Sequence, residues 1–389
     1  MNRIRLGIIG IGNMGSGHIG NLLEGKCPEL ELCAVADINP ARLEWAMKTL
    51  GVSVARFNTA AAMLDSGLID ACLISVPHYF HAALAIECIR RGLHVMVEKP
   101  ADVYTLQVHK MNEEADKHPN VVFGLMFNQR TDPLYRKMRE YVHSGRYGKI
   151  RRAIWIITDW YRPQAYYDSG NWRATWSGEG GGVLLNQCPH QLDLWQWIVG
   201  MPDSVDVHMS FGKWHDIEVE DDVTAYLGYA DGAIGVFITT TGDAYGTNRF
   251  EIQMEKAKLL AENRTLTITE FDVSEPEWSQ SNTKPFGKMQ AKTYSVEIEE
   301  SNPQHAGVLN AWADAILHGG KLIADGREGI KGLMLSNAMH LSAFTGKPVS
   351  LPFNEQLFKD ELMKRVATSR RKDYVHEMVA DTSKTYGLS

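Results

Sequence analysis

The first third of the chain alternates two hydrophobic patterns. Short, nearly unbroken apolar runs cover residues 5–9, 31–36, 54–57, 71–76, 94–97 and 121–127, and amphipathic stretches lie between them at 40–50, 80–91 and 104–118. Apolar runs spaced by helical patterns predict parallel strands covered on both faces, a doubly wound α/β sheet. Such sheets bind ligands at the carboxyl ends of their strands. Later in the chain the pattern changes. Residues 151–160 alternate as a long strand, and further strands are predicted at 204–211, 223–229, 233–241, 250–254, 258–261, 266–269 and 293–298. Turn signals such as Ala230-Asp231-Gly232 imply hairpins, hence an antiparallel sheet in an α+β domain. Helices are predicted at 305–318 and 327–345, the second stopped by Gly346 with Pro348 beyond it. Residues 274–289 read as a loop, and the tail after Phe353 as a helix that docks or covers a neighbour. The expected division is 1–127, 128–353 and 354–389.

Composition narrows the class. A chain of 389 residues suits two domains, and 44% hydrophobic with 22% charged residues is ordinary for a soluble globular protein. The net charge of -7 argues against nucleic-acid or anionic-membrane partners. Gly7, Gly10, Gly12 and Gly15 interrupt the N-terminal apolar run too early for a signal segment, and a cytoplasmic protein is expected. Cys27, Cys33, Cys72, Cys88 and Cys188 show no C-x-x-C spacing, which suits free thiols in a reducing compartment.

Gly10-Ile11-Gly12-Asn13-Met14-Gly15 fits G-x-G-x-x-G directly after a strand and before a helix. Its glycines permit the tight turn, backbone approach to a pyrophosphate, and close helix–strand packing. Asp37 ends the second strand where a carboxylate accepts hydrogen bonds from a ribose, and no arginine stands beside it, so NAD is favoured over NADP. Two later strand ends carry Pro77-His78-Tyr79-Phe80-His81 and Glu98-Lys99-Pro100, functional positions in a parallel sheet. Further on, Asn186, His190 and Asp193 fall at i, i+4 and i+7. If the stretch is helical they share a face, with Asn186 as N-cap and Pro189 near the start. Alone, that pattern fits a polar pocket wall or a capped surface helix equally. His190 with Asp193 supplies only two metal ligands, so no metal is expected. Cys188 reads as a buried thiol.

The ordered set of the glycine turn, Pro77 through His81, Glu98-Lys99-Pro100 and the Asn186/His190/Asp193 stretch resembles the Gfo/Idh/MocA oxidoreductases. The resemblance implies a Rossmann domain, a second domain with an open sheet, and a nicotinamide between them. It makes Lys99 and His190 the catalytic pair. It places Gly10, Gly12, Asn13, Met14, Gly15, Asp37, Pro77, His78, His81, Glu98 and Lys99 at the cofactor. Asp193 and Arg130 become substrate contacts, and a homodimer or homotetramer through the second sheet is implied. Asn186 departs from the family pattern, where many members have aspartate. An amide takes up no proton at neutral pH, so it positions substrate or His190 and leaves the base role to the histidine.

The loop 160–173 holds five Trp or Tyr rings and two arginines. Aromatic faces stack on sugar C–H surfaces, and arginine bonds hydroxyls. Carbohydrate or glycoside is therefore the expected substrate, with Arg162, Tyr167, Trp172 and Arg173 as contacts, although such rings equally suit a core or subunit contact. Three functions follow: NAD-dependent oxidation of a ring secondary hydroxyl at C3, redox-neutral glycoside cleavage through transient C3 oxidation, or a non-catalytic dinucleotide sensor. Intact Lys99 and His190 argue against the last.

Overall fold

The computed structural model describes residues 3–299 and 301–370. Six short apolar runs pair as β1 (Ile4–Ile9), β2 (Leu30–Ala36), β3 (Ala55–Phe57), β4 (Ala71–Ile74), β5 (His94–Val97) and β6 (Phe123–Leu125). Their order is β3-β2-β1-β4-β5-β6, and every neighbouring pair is parallel. The strands read as continuous apolar runs because helices cover both faces: Leu6, Ile8, Ala71, Leu73 and Met96 belong to one buried cluster, Ile9, Cys72, Ile74, Val95 and Val97 to another. The order reverses between β1 and β4, so a crevice opens at their carboxyl ends.

The second sheet contains β7 (Ile150–Ile157), β8 (Ser204–Phe211), β9 (Glu220–Gly228), β10 (Ile234–Thr240), β11 (Asn248–Met254), β12 (Ala257–Glu262), β13 (Thr265–Phe271), β14 (Ala291–Val296) and β15 (Val349–Ser350). It runs β14-β13-β12-β11-β7-β10-β9-β8-β15. Hairpins make its neighbours antiparallel, except that β7 and β10, separated by a long excursion through the site, pair in parallel. One face buries an aromatic layer. Trp155 stacks on Phe250 with centroids 4.2 Å apart, and Trp195 from the helix Pro189–Ile198 packs on Phe237 and donates its indole N–H to Tyr229 at 2.8 Å.

Two local expectations are corrected. The segment read as a loop at 274–289 contains the helix Glu275–Ser281, started by Ser274, whose hydroxyl accepts from the Glu277 N–H, with acids in its first turn. Asn186 does not cap the helix that carries His190. That helix begins at Pro189 with Cys188 in the cap position, because proline has no N–H to lose at the first turn. Asn186 instead lies in the preceding turns, its N–H bonded to the Gly182 carbonyl at 2.8 Å, so the three polar residues do not share a helix face. The helix Gln304–His318, which a boundary at 128 gives to the second domain, packs Val308, Leu309, Trp312 and Ala313 into the β1–β5 core, and the Leu125 N–H bonds the Ala324 carbonyl at 3.2 Å. The expected tail helix is present as Glu355–Thr368, while residues 371–389 lie outside the described residues.

Trp312 is fully buried and donates to the Val122 carbonyl at 3.2 Å. Trp312→Ala should lower the unfolding free energy by about 3–5 kcal/mol in a urea titration. A loss below about 1 kcal/mol would mean that this helix does not belong to the first domain's core.

Candidate active site

The glycine turn sits at the carboxyl end of β1. Gly10 has φ +85°, and a Cβ there would stand 2.3 Å from the Ser75 carbonyl; one at Gly15 would stand 2.0 Å from the Gly10 carbonyl. Those two positions are closed by packing. A Cβ at Gly12 would meet nothing within 4 Å, so the turn is open on its cleft side. The helix Asn13–Leu23 begins there with no side-chain cap, leaving its first N–H groups for an anion. Asp37 at the end of β2 accepts from the Ile11 N–H at 2.9 Å and the Asn39 N–H at 2.8 Å. An arginine does approach this turn, from sequence five residues on: Arg42 donates to the Ile11 carbonyl at 2.7 Å and also bonds Ser16. It braces the turn and does not line the cleft. These residues fit a dinucleotide: Gly12 and Asn13 would hold its pyrophosphate and Asp37 a ribose.

The cleft, about 1200 Å³, continues past His78, His81, Glu98 and Lys99 to Asn186, His190 and the loop 160–173. Lys99 reaches across the domain boundary and donates to the Asn186 carbonyl at 2.9 Å. Burial pulls its ammonium below the usual range; Glu98 and Glu179 oppose this, while Arg173 and Arg162 add to it. Glu98 accepts from His18 at 2.6 Å, both side chains buried. Burial alone would raise the Glu98 carboxyl, but the His18 hydrogen bond and the charges of His18, His305 and Lys99 bring it to about 2. Burial, and then the Lys99 charge, hold His190 well below the usual histidine range, so its imidazole is neutral near pH 7. A neutral imidazole and a buried ammonium on one cleft wall suit proton acceptance beside a developing negative charge.

A second layer fixes the turns before His190. Glu220 at the start of β9 accepts from the Gly182 N–H at 2.7 Å and the Leu184 N–H at 2.9 Å, and pairs with His340 at 3.0 Å. Glu179 accepts from the Ala174 N–H at 2.6 Å and from the Asn186 side chain. Burial raises the Glu179 carboxyl to about 7. Its backbone carbonyl faces His78 Nδ1 at 3.1 Å. His81 meets the carbonyls of Pro100 and Val76, each at 2.7 Å, so it ties two strand ends together.

Three expected substrate contacts lie off the cleft. Arg130 and Asp193 bond each other through two contacts of 2.7 Å; Glu328 and Gln196 complete their coordination, and both side chains are buried. A buried carboxylate one helix turn beyond His190 must find a cation, and Arg130 supplies it. Tyr167 turns inward to donate to the Thr241 hydroxyl at 2.7 Å, and its neighbour Tyr166 lines the cleft instead. Arg162, Trp172, Arg173 and Asn186 do line it.

The description "Oxidoreductase family, NAD-binding Rossmann fold" matches residues 4–125, and "GFO/IDH/MocA C-terminal domain" matches 135–260. The chain belongs to the Gfo/Idh/MocA oxidoreductases. It is 28% identical over 278 residues to the myo-inositol 2-dehydrogenase of Thermotoga maritima, covering 69% of this chain and 78% of that one. With the levoglucosan dehydrogenase of Pseudarthrobacter phenanthrenivorans it shares 26% over 281 residues, 64% of this chain and 70% of the other. The crystal structure of the WlbA dehydrogenase from Bordetella pertussis, in complex with NADH and UDP-GlcNAcA, superposes with TM-score 0.75 at 26% identity over 91% of this chain and 100% of that one. This Gfo/Idh/MocA member is an NAD-binding oxidoreductase.

Within the family frame, sequence reasoning missed His18, Tyr166, Glu179, Gln304 and His305. His18 stands three residues after Gly15 on the same helix, a spacing that turns it toward the strand ends. Glu179 was visible as the one charge among the glycines of 178–182. Nothing in the local pattern marks Gln304 and His305, which arrive from a distant helix start.

Asp37→Ala should weaken NAD binding about 10- to 100-fold, the worth of a hydrogen bond to a charged group, and narrow the preference over NADP in fluorescence titrations. Unchanged NAD affinity would remove Asp37 from the ribose.

Proposed function

We propose that the protein is an NAD-dependent dehydrogenase that oxidises a ring secondary hydroxyl, at C3, of a sugar or glycoside. The observation that carries this reading is the shared wall: Lys99, held by the Asn186 carbonyl, lines the same cleft as His190, the open face of Gly12 and the aromatic loop. The relatives named inositol and levoglucosan dehydrogenases support a polyol or sugar substrate. Bound NAD supplies the hydride acceptor. His190 takes the hydroxyl proton, and Lys99 stabilises the oxygen as negative charge develops on it. Asn186 fixes Lys99 through its backbone and is itself held by Glu179 through its side chain. The rings of Trp160, Tyr166 and Trp172 line the same cleft and give the sugar's C–H surface an apolar wall.

Cytoplasmic residence is supported by five cysteines that are all unbridged. Among the described residues no helix is long and apolar enough to cross a membrane. Pairing with a second copy is supported by the second face of the nine-stranded sheet, where Tyr226 is 48% exposed.

His190→Ala should lower kcat about 10²- to 10⁴-fold, and Lys99→Met about 10²- to 10³-fold, with NAD affinity largely retained. Sugars and aryl glycosides assayed for both NADH and aglycone decide the reaction: NADH with a keto sugar supports dehydrogenation, whereas aglycone release without NADH would replace it by redox-neutral cleavage. Because burial lowers His190, the base stays deprotonated to acid of a free histidine, so the acid limb of kcat/KM for oxidation should lie below pH ~6.5. A limb above pH 7 would contradict a buried neutral His190.

A further inference from the structure

Arg162 and Arg173 line the cleft on the side of the second domain, both partly buried. Each is held on aromatic faces: Arg173 lies 4.7 Å from the ring centroids of both Tyr166 and Trp172, and Arg162 lies 5.3 Å from Tyr166 and 5.5 Å from Trp160. Each guanidinium also makes one neutral hydrogen bond, Arg173 to the Tyr166 hydroxyl at 2.9 Å and Arg162 to the Tyr161 carbonyl at 2.8 Å. A guanidinium carries five N–H donors and keeps its charge throughout the working pH range, so most of that donor capacity remains. Among the described residues neither arginine forms an ion pair, whereas Arg130, buried off the cleft, is paired with Asp193 and Glu328.

The acids of the cleft are already engaged. Glu98 is bonded to His18, Asp37 to the glycine turn, and Glu24 lies 2.6 Å from Lys26. Glu179, whose charge is felt by both Lys99 and Arg173, is bonded to Asn186 and Ala174, and burial leaves its carboxyl near neutrality. At the substrate end Lys99 has Glu98 and Glu179 near it, while Arg162 and Arg173 have no carboxylate within ion-pair distance among the described residues. Partly buried cations without a partner are costly, and a bound anion offsets that cost. The pyrophosphate cradle does not serve this purpose, because it is built on the first domain at Gly12 and Asn13, while Arg173 acts on His78 and Lys99 at the reacting end.

We infer that the substrate is an anionic sugar whose carboxylate or phosphate is bound by Arg162 and Arg173, with the reacting hydroxyl held at Lys99. The aromatic rings fix both guanidiniums in plane, so that their free N–H edges meet a planar or tetrahedral oxyanion through paired hydrogen bonds. This assignment rests on the dehydrogenase reading of the same cleft.

Binding and turnover together test it. NAD-loaded protein is titrated calorimetrically, and assayed for NADH, with matched sets: glucuronate, glucose 6-phosphate and glucose, then the galactose counterparts. At least one acidic member should bind, and react, about 10- to 100-fold better than its neutral partner, the span of a hydrogen bond to a charged group. Preference for the uronate assigns a carboxylate; preference for the 6-phosphate assigns a phosphate. In R162Q and R173Q the acid-to-neutral ratio should fall toward one, with the loss mainly in KM. If no acid outperforms its neutral partner, or if both variants keep the wild-type ratio, the inference is overturned. Tight binding of an acid with no NADH formed would keep this inference and remove the dehydrogenase reading, so the two failures are distinct.

Discussion

A lysine ammonium half-buried between two domains needs charge or acceptors in place of water, and much of this structure answers that requirement. Lys99 leaves the end of β5 with Glu98 beside it and finds the Asn186 carbonyl on the opposite domain at 2.9 Å. Removing an ammonium from water costs several kcal/mol unless charge and hydrogen bonds replace the solvent. Here the replacement is partial, and burial still lowers the lysine's proton affinity. In the proposed reaction that residual imbalance suits Lys99 to an oxygen gaining negative charge.

Precision at this point depends on residues well behind it. The turns carrying Asn186 are irregular, and irregular backbone inside a protein needs fixed partners. Glu220 bonds two of their N–H groups, His340 from the helix Gly329–Thr345 balances Glu220, and Glu179 restrains the Asn186 amide. Asp193 and Arg130 clamp the helix Pro189–Ile198 against the segment that follows β6. These ion pairs do not touch the cleft, and each fixes a segment that does. The helix Gln304–His318 joins the same scheme from the other side, packing on the first sheet and bringing Gln304 and His305 to the cleft wall.

How much of this is legible in the sequence depends on how local the cause is. Strands of the first sheet and the helix Pro40–Leu50 follow from apolar runs and caps within a few residues, and the glycine turn announces its own geometry. Lys99 and His190 stand out as candidates because motif and neighbours lie together in the chain. Asp193 is the opposite case: its partner Arg130 stands 63 residues away, and helical spacing alone does not say whether a carboxylate faces ligand or protein. The same holds for Tyr167, whose partner Thr241 is 74 residues distant. Asn186 was placed as a cap because the proline three residues later was read as lying inside the helix's first turn, when it is the first helical residue. The parallel pairing of β7 with β10 had no local signal, since alternation along a strand carries no information about its neighbour's direction.

In the proposed reaction the cleft moves a hydride from a sugar carbon while His190 takes the proton of its hydroxyl. The most direct measurement uses a substrate sugar deuterated at C3, with mass spectrometry of the NADH formed in one turnover. One deuterium in the reduced nicotinamide is the predicted result. NADH formed without label, alongside oxidised sugar, would place the reacting carbon elsewhere and contradict the account.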